Sequence, residues 1–192
     1  MSRHFLSAHL ILTSLCLGIV LLPGCKPVAG KKPKEETLQM KAERGDVAAQ
    51  VQMGKKAYEG EGAERDAAEA ARWYLKAAEK NHPEAQFWLG NMYADGEGVE
   101  KNLLESVKWY RLAAEQNFTP AQSNLGFMYA GGKGVEKDAV KAYAWYNLAA
   151  RTDEVAARNR AGLEKKMTPP QVVDAQKYTE VLRLTIEAKT NR

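Results

Sequence analysis

The sequence predicts an all-α fold, a solenoid of helix–turn–helix units with a 36-residue period. Three observations carry this. First, Trp73, Trp109 and Trp145 stand 36 residues apart, as do Gly54, Gly90 and Gly126, and the pairs Ala49-Gln50, Ala85-Gln86 and Ala121-Gln122. A register that never slips marks stacked units of one kind. Second, apolar residues such as Phe87, Leu89, Met92 and Tyr93 recur at helical spacing. Third, paired glycines interrupt each unit at the same place: Gly60 and Gly62, Gly96 and Gly98, Gly132 and Gly134. Glycine accepts the positive φ with which many helices end.

In chain order, residues 1–24 are expected to be an export signal. Arg3 and His4 give a positive start, and Leu10–Leu22 is a largely apolar run of 13 residues. That length suits a signal core and is short for a membrane span, which needs about 20. Leu22-Pro23-Gly24-Cys25 follows and resembles a lipobox, the site where a cysteine is acylated and becomes the new N-terminus. Cys25 is thus the expected lipidation site and the point of contact with the membrane. The competing reading is an anchor that is never cut. Lys26 occupies the position where lipoproteins kept at the inner membrane of enterobacteria usually carry Asp, which favours the inner leaflet of an outer membrane. Residues 25–36, with two prolines and four lysines, read as a solvated tether facing the periplasm.

Residues 37–48 read as a capping half-unit: the second half of a repeat whose first half is missing. Three full units follow at 49–84, 85–120 and 121–156. The first helix of each is expected to begin near its Ala-Gln pair and to stop at the glycines. Asp66, Asn102 and Asp138 then stand where an N-cap is required, with Glu69 and Glu105 three residues on, as in a capping box. The second helix carries Ala70, Tyr74 and Ala77, matched by Ser106, Tyr110, Ala113 and by Ala142, Tyr146, Ala149. Small residues allow close approach, and the tyrosine fills the remaining gap. Asn81 and Asn117 suit a left-handed helix end, and Pro83 and Pro120 mark the break. Residues 157–188 are expected to cap the stack with two helices, the first over 157–166. The second is opened by Thr168-Pro-Pro-Gln171.

Ala85-Gln-Phe-Trp-Leu-Gly-Asn-Met-Tyr-Ala-Asp-Gly-Glu-Gly-Val99 and Trp109-Tyr-Arg-Leu-Ala-Ala-Glu115, with Ala121–Ala130 and Gly132-Lys-Gly-Val135, resemble the Sel1-like repeat family, relatives of the tetratricopeptide repeats. The first unit departs from the pattern at Ala57-Tyr58 and Ala63. The resemblance implies a right-handed α-solenoid that acts as an interaction scaffold, often exported, with no catalytic residues of its own. A cysteine-rich branch linked to β-lactam binding is a poor guide, because the mature chain keeps only Cys25. By analogy with tetratricopeptide repeats, first-helix positions 3, 7 and 11 face inward. These are Val51, Lys55 and Glu59; Phe87, Asn91 and Asp95; and Ser123, Phe127 and Gly131. They vary while the packing positions repeat, as a partner-fitted surface would, and equally as an unconstrained one would. Phe87 and Phe127 favour the first, since exposed aromatics anchor interfaces. Trp88, which replaces Gln52 and Asn124, is either a further anchor or local packing.

Composition narrows the chemistry. After residue 24 the chain has 27 basic and 24 acidic residues, a net +3, interspersed and too mild for nucleic acid. The single histidine there, His82, lies in a helix-ending Asn-His-Pro, and the only serines are Ser106 and Ser123 at helical positions. Neither a catalytic triad nor a zinc site is expected, and no cofactor is implied. The Gly-x-Gly turns follow no strand and lack the lysine of a phosphate loop. The favoured reading is a monomeric, lipid-anchored scaffold for an envelope protein or peptide. The alternatives are a peptidoglycan or glycan binder, including a cell-wall hydrolase, and a self-assembling spacer, against which the capped ends argue.

Overall fold

The structure, a computed structural model, describes residues 36–190. These form nine helices and no strand. The signal segment, Cys25 and the tether up to residue 35 lie outside the described residues. The helices are α1 (Leu38–Glu43), α2 (Val47–Glu59), α3 (Ala67–Glu79), α4 (Pro83–Asp95), α5 (Leu103–Ala114), α6 (Thr119–Gly131), α7 (Ala139–Ala149), α8 (Glu154–Glu164) and α9 (Pro169–Thr190). Helices α2 and α3, α4 and α5, and α6 and α7 pack as hairpins, and α3 on α4 and α5 on α6 join one unit to the next. The result is an all-α repeat stack. None of these helices is long and apolar enough to cross a membrane.

The turns follow from the expected glycines. Gly60, Gly96 and Gly132 end α2, α4 and α6 in the left-handed region, at φ of 75, 80 and 66°. Asp66, Asn102 and Asp138 cap α3, α5 and α7, their side chains accepting from the backbone N–H of Glu69, Glu105 and Lys141. The reciprocal half of the capping box does not form. The N–H of each cap residue already donates to the preceding helix, to the carbonyls of Ala57, Tyr93 and Tyr129 at 2.8–3.0 Å. Glu69 instead accepts from the Trp73 indole at 3.3 Å, and Glu105 pairs with Lys108 at 3.1 Å. With no donor left to satisfy, Lys141 is tolerated in the third unit.

The first helices begin two residues before the Ala-Gln pairs, at Val47, Pro83 and Thr119. Pro83 and Pro120 lie in the first turn of α4 and α6, beyond the ends of α3 and α5, because a first-turn proline needs no N–H partner. Likewise α8 starts at Glu154, ahead of the expected 157, because Asp153 accepts from the N–H of Val155 and Ala156. Asn81 and Asn117 do adopt positive φ, 65 and 63°. The Thr168–Gln171 capping box forms in both directions.

Two recurring contacts hold the stack. Gln50, Gln86 and Gln122 are buried and donate backward to the carbonyls of Ala42, Ala78 and Ala114 at 3.0–3.2 Å. Each carbonyl also accepts from a backbone N–H of its own helix end, that of Gly45, Asn81 or Asn117, so the glutamine is a second donor that ties the next helix to it. The glutamine amide is itself buried, and such a group left without an acceptor costs about 1–3 kcal/mol, so the carbonyl contact repeats with the side chain. Gly54, Gly90 and Gly126 lie against the rings of Tyr74, Tyr110 and Tyr146, where a Cβ would stand 2.7–2.9 Å from a ring carbon. The predicted tyrosine filler is therefore seated on a first-helix glycine. Trp73, Trp109 and Trp145 are buried. At the N-terminal end α1 packs on α2 through Ala42. At the other end α8 and α9 both pack on α7, and α9 adds Ile186 and Leu182 to the core around Trp145.

Candidate functional site

A cleft between the first helices of units 2 and 3, α4 and α6, brings together aromatic, amide and charged side chains. It has a volume of about 480 Å³ and is lined by residues including Asn91, Asp95, Lys101, Tyr110, Asn124, Phe127 and Lys133. On its floor the Tyr110 hydroxyl donates to Asn91 Oδ1 at 2.6 Å, and Asn124 Nδ2 donates to the same oxygen at 3.2 Å. Burial first of all raises the Tyr110 pKa, so its hydroxyl stays protonated as a donor. Phe127 is 49 % exposed, with Lys133 Nζ 4.3 Å from its ring centroid. A cation held over an aromatic face keeps both groups at the surface.

Of the residues expected to face a partner, Asn91, Asp95 and Phe127 come together here. Lys55 and Glu59 are exposed on α2, 3.9 Å apart, by the neighbouring junction. Position 3 of the first helix does not face the surface as expected. Val51 is buried among Ala70, Ala71 and Tyr74. Phe87 is half-buried against Trp88, Tyr110 and Phe118, with ring centroids 5.5–6.1 Å away. Ser123 is half-buried as well. The reason is geometric: steps of four residues drift by about 40° around a helix, so positions 3 and 11 do not share a face. Trp88 is local packing, stacked on Tyr74 at 6.1 Å and 13° and tilted on Tyr58 at 5.6 Å.

Lys101, Asn124 and Lys133 line the cleft as well, and the inward-position pattern does not include them. Two of them lie in the glycine turns, which sequence reasoning treats as connectors. The 36-residue register could have found them, because it aligns Lys101 with Arg65 and Lys133 with Glu97. At that first junction Glu97 accepts from the Tyr58 hydroxyl at 2.6 Å and from Arg65 at 3.0 Å. These two donors, the tyrosine foremost, hold its carboxyl below the usual range. Among the described residues no group of three or more His, Cys, Asp or Glu side chains is placed to hold a metal ion.

The Sel1 repeat model matches residues 47–82, 83–118 and 119–151, more than half of the chain and in step with α2–α3, α4–α5 and α6–α7. The chain belongs to the Sel1 repeat family. These repeats generally serve as protein–protein interaction scaffolds, typically without catalysis. A protective antigen of uropathogenic Escherichia coli displaying an SLR fold is 36% identical over 80% of this chain, with a TM-score of 0.73. A Sel1 repeat protein from Oxalobacter formigenes is 42% identical over 61% of this chain, with a TM-score of 0.59. The chain spans 33% and 49% of those two proteins. Helicobacter pylori cysteine rich protein B, 22% identical over 63% of this chain and 96% of its own at a TM-score of 0.50, shares the fold. No curated protein gives a significant sequence match. The Sel1 units begin at 47, 83 and 119, two residues ahead of the boundaries read from the Ala-Gln pairs.

Proposed function

We propose that this Sel1 repeat chain is an envelope scaffold, lipid-anchored at Cys25, that holds a protein or peptide partner in the cleft between α4 and α6. The observation that carries the reading is the composition of that cleft. It joins a half-exposed aromatic, Phe127, to the polar Asn91 and to three charged groups, Asp95, Lys101 and Lys133, that form no ion pair among the described residues. An aromatic anchor ringed by polar groups is the usual anatomy of a protein-binding surface. The glycan-binding alternative lacks a comparable platform, because Trp73, Trp109 and Trp145 are buried and Trp88 is stacked between tyrosines.

The test is co-purification. Full-length tagged chain is cross-linked in living cells, the membranes are solubilised, and partners are identified by mass spectrometry. Phe127→Glu should lower recovery of the principal partner by at least about tenfold, the effect of losing one anchor. Its helical circular dichroism should be unchanged, since the side chain is half-exposed. Undiminished recovery with a folded Phe127→Glu chain would remove the cleft from the account.

A further inference from the structure

Building on that reading of the cleft, we propose that the junction between units 2 and 3 receives an acidic side chain from an extended peptide segment of the partner. The junction between units 1 and 2 serves as the reference. There Glu97 sits on Tyr58 and Arg65, the Arg65 guanidinium lies 4.5 Å from the Tyr58 ring centroid, and Trp88 fills the space above Tyr74. The anion is supplied by the chain itself, and the void is closed.

One register later four residues change together. Tyr58 is replaced by Ala94, Arg65 by Lys101, Trp88 by Asn124 and Glu97 by Lys133. Losing two large rings opens the cleft. The cation is kept, and the carboxylate that neutralised it has become a second cation. Asp95 is no substitute, since its counterpart Glu59 is present at the first junction together with Glu97. Among the described residues no ion pair engages Lys101, Lys133 or Asp95. Two cations facing one cleft repel each other, and an incoming carboxylate relieves this, as the Glu97 carboxylate does for Arg65.

The floor selects a peptide over a simple anion. Asn91 Oδ1 is occupied by Tyr110 and Asn124, which leaves the Asn91 amide N–H groups and the Asn124 carbonyl, on two residues that line the cleft, without a hydrogen-bond partner among the described residues. Donors and an acceptor side by side suit a backbone amide. Leu103, Phe127 and Met128 add an apolar wall for a neighbouring side chain. The sequence feature recognised is therefore Asp or Glu next to an apolar residue in an extended strand.

The experiment pans a phage library of random peptides of roughly 12 residues, enough to span one cleft in extended form, against immobilised full-length chain in detergent. The same panning is done with Lys101→Glu/Lys133→Glu. Both lysines are exposed, and thermal melting checks that the variant is folded. The parent should enrich peptides carrying Asp or Glu beside apolar residues. Synthetic versions should bind the variant at least about tenfold more weakly, because attraction becomes like-charge repulsion. Enriched peptides without acidic residues, or acidic peptides bound equally by the variant, would overturn this inference and leave the cleft reading standing. Failure of both chains to enrich any peptide would overturn the two together.

Discussion

Gly98→Ala is expected to lower the stability of the repeat domain by about 3 kcal/mol, whereas Gly62→Ala in the same register should cost about 1 kcal/mol. Both glycines have positive φ, 69 and 80°. A Cβ in that region costs about 1–2 kcal/mol on its own. The difference lies in what each turn touches. A Cβ on Gly98 would run into the Ala67 carbonyl at the start of α3, and one on Gly134 into the Leu103 carbonyl at the start of α5. Backbone atoms cannot step aside as a flexible side chain can, so two units would have to separate. Gly62 belongs to the first full unit, and nothing lies within 4 Å of its virtual Cβ. Urea denaturation of the three single variants measures the effect. Gly134→Ala should match Gly98→Ala, and equal losses at 62 and 98 would show that the turns do not couple neighbouring units.

Cys25→Ala is expected to abolish labelling by an alkyne fatty acid and to leave residues 1–24 attached, because the cysteine is both the acylated residue and the point of cleavage. With lipid mass excluded, the variant should run about 2–3 kDa larger than the parent, on the order of 110 Da for each of 24 residues. The 13-residue apolar run and the Leu22-Pro-Gly-Cys25 sequence point to this outcome. A run of that length is marginal as a span, while several acyl chains on one cysteine give stable attachment. The repeat domain adds no membrane-crossing helix of its own among the described residues. Labelling that persists in the variant would remove Cys25 as the lipidation site, and a parent chain that keeps residues 1–24 would mean an uncleaved anchor.

The repeat architecture is legible because a fixed period exposes it. Three tryptophans and three glycines in step require three equal units, whatever each residue does. Caps built from a residue and its own local turn, such as Asn81, Gly96 and Thr168, are legible for the same reason: both partners are close in sequence. The capping boxes at Glu69 and Glu105 failed because the decisive donor bond runs from the cap N–H to a carbonyl in the previous helix, which spacing does not display. The cleft was legible only in part. Phe87 and Phe127 are both first-helix phenylalanines, and only neighbours from other helices separate them. Phe118 and Tyr110 cover the first, while the second has no such cover. The buried glutamines were visible as a repeated pair, but their purpose depends on carbonyls eight residues upstream.

The most direct test of the scaffold claim is a photo-activated cross-linker placed in living cells at position 127, in the cleft, and separately at Arg72, exposed on α3. A cleft that holds a partner should give one dominant protein adduct from position 127 that is absent from position 72. Adducts of equal pattern and strength from both positions, or none from position 127, would contradict it.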